Sequence, residues 1–141
     1  MRYIVDASVV AKWVLPGDPY QVIAVKLKSD YISGIVDLQS LLLASIEVAS
    51  AFRRAVRLGR LSEANAEEAL VALGDMGVEL HSLGWSDVAR VLGIASELGL
   101  SVYDASYVSV AEDAKATLIT ADDELYKMAG KRCSVQHLRD Y

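Results

Sequence analysis

Met1-Arg-Tyr-Ile-Val-Asp-Ala-Ser-Val-Val-Ala-Lys12 is the stretch whose reading decides the fold. Tyr3, Ile4 and Val5 are a short run of strand-favouring apolar residues, brief enough for a strand buried on both faces. Asp6 ends the run, and Ala7 to Leu15 reads as a helix until Pro16-Gly17 stops it. The pattern puts a carboxylate at the carboxyl end of a buried strand, where open α/β sheets bind their ligands. Asp is also a favoured N-cap, so Asp6 has a plain structural use as well.

Outward from that stretch, elements of alternating type follow one another. Tyr20 to Lys28 has helical spacing, Tyr31 to Val36 is rich in strand formers, and Leu38 to Leu58 reads as one long helix. Gly59 ends that helix, and Ser62 caps the next, which runs to about Met76. Val78 to Leu80 reads as a strand, and Asp87 to Leu98 as a helix closed by Gly99. A further helix opens at Ser101 and runs to about Ala114, before the strand Ala116 to Ile119. Thr120 is expected to cap a short helix ending near Gly130, and Cys133 to His137 is a last strand. This order predicts a parallel α/β sheet with helices on both faces. Neither an internal repeat nor a linker is visible, so residues 1–141 read as a single domain.

Composition narrows the class. With 141 residues, 53% of them hydrophobic, the chain can bury one sizeable core and is not a disordered segment. Its apolar runs are too short to span a membrane, and no secretory leader is visible, which points to a cytoplasmic protein. A lone cysteine, Cys133, fits a reducing compartment and reads as a core residue. The net charge of −5 lacks the basic footprint of a nucleic-acid binder, although an acidic metal pocket would itself supply several negative charges.

Four acids carry the chemistry. Glu47 lies within an otherwise apolar or small helical run, where an unpaired carboxylate would be costly and needs a partner unless it reaches water at the stripe's edge. Asp104 stands three residues after Ser101, a capping-box spacing that would give it a local role. Asp123 stands at the same spacing from Thr120, which leaves Asp122 just past a strand, as Asp6 is past the first. Asp6, Glu47, Asp104 and Asp122 would suit one acidic pocket, and clustered carboxylates cannot all ionise unless a cation joins them. An all-oxygen site selects Mg²⁺ or Mn²⁺, as one ion or two, and would polarise a phosphoryl oxygen and activate water. His81 and His137 have no metal-ligand neighbours at useful spacing and read as structural.

Ile4-Val-Asp-Ala-Ser8, Glu47-Val-Ala, Val102-Tyr-Asp-Ala-Ser-Tyr107 and Leu118-Ile-Thr-Ala-Asp122 together resemble the ordered acidic motifs of PIN-domain ribonucleases, and most of all the VapC-like toxins of prokaryotic toxin–antitoxin pairs. The resemblance covers essentially the whole chain. It implies a PIN-like three-layer α/β/α fold with a central parallel sheet of four to five short strands. It also implies that Asp6, Glu47, Asp104 and Asp122 hold Mg²⁺ or Mn²⁺, with the hydroxyls of Ser8 and Thr120 in support. Further implications are RNA cleavage by metal-activated water, a homodimer, and inhibition by a cognate VapB-like antitoxin. The chain departs from the pattern at Ser50, where Asn is expected three residues after the glutamate.

Arg53, Arg54, Arg57 and Arg60 close the helix that carries Glu47. Arg54 is two turns from Glu47 and on nearly the same face, so Arg54, with Arg53 and Arg57 beside it, is a candidate for binding RNA phosphates. The alternative is a solvated helix end where cations suit the dipole. Two other functions compete: a nuclease of RNA processing that has no antitoxin, and a catalytically silent interaction module. A receiver-like phosphoacceptor would want a pair of acids at the first strand's end, and only Asp6 is there.

Overall fold

The computed structural model describes residues 1–141. Five strands, β1 (Arg2–Val5), β2 (Asp37–Leu41), β3 (Glu79–His81), β4 (Thr117–Thr120) and β5 (Val135–His137), form one sheet. Seven helices connect them: α1 (Ala7–Ala11), α2 (Gln21–Ile32), α3 (Leu42–Arg57), α4 (Glu63–Asp75), α5 (Trp85–Leu98), α6 (Val102–Ala114) and α7 (Asp123–Ala129). Every strand pair is parallel, in the order β3-β2-β1-β4-β5. The chain winds outward from β1 through β2 to β3, then crosses back to lay β4 on the other side of β1. The order therefore reverses between β1 and β4, which makes the crevice beyond their carboxyl ends the topological switch point.

Burial of both sheet faces explains the apolar run of β1. Tyr3 and Val5 join Leu38, Ile119, Val9, Trp13, Ala24 and Leu27 on one side. Ile4 joins Leu41 and Leu118 on the other, beneath Val91, Ile94 and Leu98 of α5 and Ala105, Val108 and Ala111 of α6. A smaller cluster seats α3 and α4 against the end of α1 through Leu15, Val48, Phe52, Ala55 and Ala66. Cys133 is half-buried against the larger cluster, as expected of a core residue, and burial pushes its thiol up to about 11. No helix is long and apolar enough to cross a membrane.

Three expected elements differ. Tyr31 to Val36 is not a strand: α2 continues through Ile32, and a turn with Gly34 at φ 73° follows, leaving Ile32 and Ile35 exposed. Leu38 to Leu58 is not one helix. Its first four residues belong to β2, and the chain turns only at Leu41, whose backbone is still extended at φ −97°, ψ 148°. Leu38, Leu41 and Leu42 mimic helical spacing, yet Leu38 and Leu41 lie on opposite sheet faces while Leu42 is exposed. Finally, α1 ends at Ala11 rather than Leu15 and continues only as turns, although the Leu15 N–H still reaches Ala11 O at 3.0 Å.

Candidate active site

The site is built on the strand ends that flank the switch point. Asp6 leaves β1 buried and capped onto α1: Oδ1 accepts the Val9 N–H at 3.2 Å and the Ser8 hydroxyl at 2.5 Å. Its other oxygen, Oδ2, accepts the Thr120 hydroxyl at 2.5 Å. Both hydroxyls also accept a backbone N–H: Ser8 Oγ reaches across the crevice to the Ala121 N–H at 3.1 Å, and Thr120 Oγ1 takes the Asp122 N–H on its own side at 3.0 Å. Two side chains thus stitch the end of β1 to the end of β4 and hold Asp6 in one orientation. Burial pushes Asp6 up to about 6, against the lowering effect of those hydrogen bonds and with the charge of Asp104 adding to the rise.

The cap of α7 is not where the sequence suggests. Asp122, not Thr120, is the N-cap: its backbone is extended and its Oδ1 accepts the Leu125 N–H at 2.7 Å. Asp123 is consequently the first residue of α7 rather than the third, with a side chain 83% exposed. It faces away to His137 Nε2 at 3.3 Å and Arg139 at 3.4 Å. Thr120 donates its hydroxyl to Asp6 and accepts only the Asp122 N–H, and the helix starts after Asp122, whose Oδ1 takes the Leu125 N–H.

Asp104 is in the first turn of α6, whose N-cap Ser101 accepts the Asp104 N–H at 3.1 Å. Burial, then the charges of Asp122 and Glu47, raise its carboxyl above the usual range. Glu124 adds to that repulsion. Glu47, half-buried on α3, has the partner its apolar surroundings require: the buried Tyr107 hydroxyl donates to Oε1 at 2.8 Å. Burial and the same carboxylate push the Tyr107 phenol upward, so it stays protonated and keeps its proton on the Glu47 carboxylate. Ser50, the departure from the family pattern, is exposed.

Asp6, Glu47, Asp104 and Asp122 therefore feel one another, directly or through Asp104. The donor set is all oxygen and fits a hard cation such as Mg²⁺ or Mn²⁺. As the side chains point, no three of them close into a ready ligand shell. The histidines take no part: His81 Nε2 meets Gln39 Oε1 at 2.9 Å, and His137 is buried edge-on between Tyr20 and Tyr126. Of the arginines, Arg54 lines a groove together with Ser8 and Glu47, whereas Arg53 and Arg57 are exposed outside it.

Sequence reasoning missed Tyr107 and Glu124. Tyr107 was legible in principle, being three residues from Asp104 and so on the same face of one helix. No local signal marks Glu124, whose effect on Asp104 depends on packing.

A doubly wound parallel sheet takes its ligand at the switch point, and in this chain that point is lined by carboxylates able to hold a hard cation. The sequence pattern of the PIN domain matches residues 3–131, and the chain belongs to the PIN domain family. Ribonuclease VapC3 of Pyrobaculum aerophilum is 30% identical over 126 residues, covering 89% of this chain and 92% of that protein. The crystal structure of PAE2754, also from Pyrobaculum aerophilum, superposes with a TM-score of 0.76 at 26% identity, covering 99% of this chain and 85% of that one. The Mycobacterium tuberculosis toxin VapC20, described as cleaving the sarcin–ricin loop, shares the fold with a TM-score of 0.69 at 16% identity, covering 87% and 92% of the two chains.

Proposed function

We propose that this protein is a metal-dependent endoribonuclease that hydrolyses RNA phosphodiester bonds as the toxin of a type II toxin–antitoxin pair. The observation that carries the reading is the meeting of Asp6, Asp104, Asp122 and Glu47 beyond β1 and β4, in a PIN-domain chain 30% identical to a ribonuclease. Asp6, Glu47, Asp104 and Asp122 would hold Mg²⁺ or Mn²⁺, which when bound supplies Lewis-acid polarisation of a phosphoryl oxygen and lowers the pKa of water. The chain's own share is preorganisation. Ser8 and Thr120 fix both oxygens of Asp6, Tyr107 fixes one oxygen of Glu47, and Asp122 keeps Oδ2 clear of its cap. Repulsion that lifts Asp104 is relieved when a cation joins the group, so the acids favour the ion that the reaction needs.

Purified protein should cleave RNA with Mg²⁺ or Mn²⁺ and stop when EDTA is added in excess. Cleavage continuing at full rate in EDTA would overturn the metal mechanism.

The pairing part of the reading concerns partners. A cognate VapB-like antitoxin is expected to lie over the helices near the site and offer a basic side chain to the acids. A second copy is expected to cover exposed apolar side chains where α3 and α6 begin, among them Leu42, Ile46 and Tyr103. Recovery from the native host should yield a small protein bound to a dimer of this chain. Repeated recovery of an active monomer alone would overturn both partner assignments.

A further inference from the structure

Beside the acids runs a groove of about 390 Å³ between α1 and α3, and its two ends differ in chemistry. Ser8 and Glu47 mark one end, joined through Tyr107, which holds Glu47 by its hydroxyl and meets Ala7 through the backbone. Lys12 and Arg60 mark the other, joined through Asp18, whose oxygens stand 3.7 Å from Lys12 Nζ and 3.3 Å from Arg60. These two links show that α1 and α3 advance in the same direction along the groove. Lys12 follows Ser8 by four residues and Arg54 follows Glu47 by seven, so each helix steps from oxygen ligands to a cation within one or two turns.

The cations are not equally committed. Arg60 is tied down, donating to Pro16 O at 3.2 Å as well as to Asp18. Arg54 is exposed on the groove wall. Lys12 has a side chain only 13% exposed, yet its one ion pair, at 3.7 Å, is beyond hydrogen-bond length. With its stem packed down and no hydrogen bond made inside the chain, the ammonium on the groove wall is free to receive an acceptor.

We propose that this groove carries the RNA strand away from the acids, with Lys12 and Arg54 gripping the backbone phosphate next to the one being cleaved. The assignment rests on the ribonuclease reading above. Asp18 and Arg60 act as positioning residues: Arg60 fixes the Asp18 carboxylate, which keeps the Lys12 stem against α1 without satisfying its ammonium. Arg53 and Arg57, on the same helix but outside the groove, make no such contact.

The test measures binding of a fluorescent single-stranded RNA to the full chain, in Ca²⁺ to suppress turnover, across a range of salt concentrations. Lys12→Gln and Arg54→Gln should each weaken binding several-fold and reduce the log–log salt slope by about 0.7, one contact's worth for a single strand. Lys12→Arg should restore both, whereas Arg53→Gln should change neither. A slope unchanged in Lys12→Gln, or reduced equally in Arg53→Gln, would overturn the groove while leaving the nuclease reading intact if the wild type still cleaves RNA. Absence of both RNA binding and cleavage by the wild type would overturn the two together. A purely structural lysine would lower thermal stability without moving the salt slope.

Discussion

At Asp122 one carboxylate oxygen takes the Leu125 N–H at 2.7 Å, and the residue's own N–H is given to Thr120 Oγ1 at 3.0 Å. Asp123, the next residue, has neither contact and turns its carboxylate to His137 and Arg139 at the surface. After burial, the charge of Asp122 is the foremost cause that raises Asp104. Chemically identical neighbours are thereby separated by one step of backbone. Asn caps helices about as well as Asp, so Asp122→Asn preserves the start of α7 while removing one charge from the pocket. We expect this variant to lose metal-dependent cleavage with its thermal unfolding nearly unchanged. Asp123→Asn should keep full activity and shift stability by no more than about 0.5 kcal/mol, as for other exposed ion pairs. Cleavage assays and melting curves on both proteins decide the matter, and an inactive Asp123→Asn with an active Asp122→Asn would reverse the assignment.

At the scale of elements, the sequence was most readable where one physical requirement dominates. The apolar run Tyr3-Ile4-Val5 ended by Asp6 reads as a short buried strand and is β1, and Ala116 to Ile119 reads as a strand that is β4 shifted by one residue. The middle of the chain was harder because β2 carries polar residues into the sheet. Gln39 and Ser40 are buried, and each is satisfied by a neighbouring strand: Gln39 by Glu79 at 3.0 Å and His81 at 2.9 Å, and Ser40 by Val5 O at 2.6 Å. Those partners are some 35 to 42 residues away in the chain, so no local pattern announces them. Leu38, Leu41 and Leu42 stand at helical spacing, so the sequence alone joins β2 to α3 as one helix. The same dependence on distant contacts hid Tyr107 as the partner of Glu47, for which the sequence left two readings open, a partner or water at the stripe's edge. Asp6 and Asp104 stood out as candidates even though each also serves its own helix, as an N-cap and as a first-turn acid. Asp122 stood out for the opposite reason, as the acid left over once Thr120 and Asp123 were given the cap of α7, and it proves to be that cap itself.

At the scale of the whole molecule, alternation of strands and helices foretold a parallel sheet, but the strand order that brings β4 beside β1 depends on which way each crossover packs. That order is what places Asp6 among other acids, and it has a cost for the fold. Burial holds the Asp6 carboxyl at about 6 in the folded chain, above the 3.8 expected when unfolded. A folded value that is raised favours the folded state fully below the unfolded value, and that advantage is lost as the pH climbs through the folded one. Without metal, the ion-free protein should therefore lose stability between about pH 4 and pH 6 on account of Asp6, by an amount on the order of 2 kcal/mol. Asp6→Asn cannot ionise, so its stability should be flatter over that window, and its advantage over the wild type should grow toward neutral pH. Urea unfolding of both proteins in EDTA, at a series of pH values, measures the difference directly. Mg²⁺ should restore the wild type at pH 7 and leave Asp6→Asn nearly unmoved, because an ion that binds only the folded state stabilises by mass action through the carboxylate that receives it. Parallel curves for the two proteins from pH 4 to pH 7 would show that Asp6 carries no strain from burial, and that its hydrogen bonds to Ser8, Val9 and Thr120 already offset the loss of water.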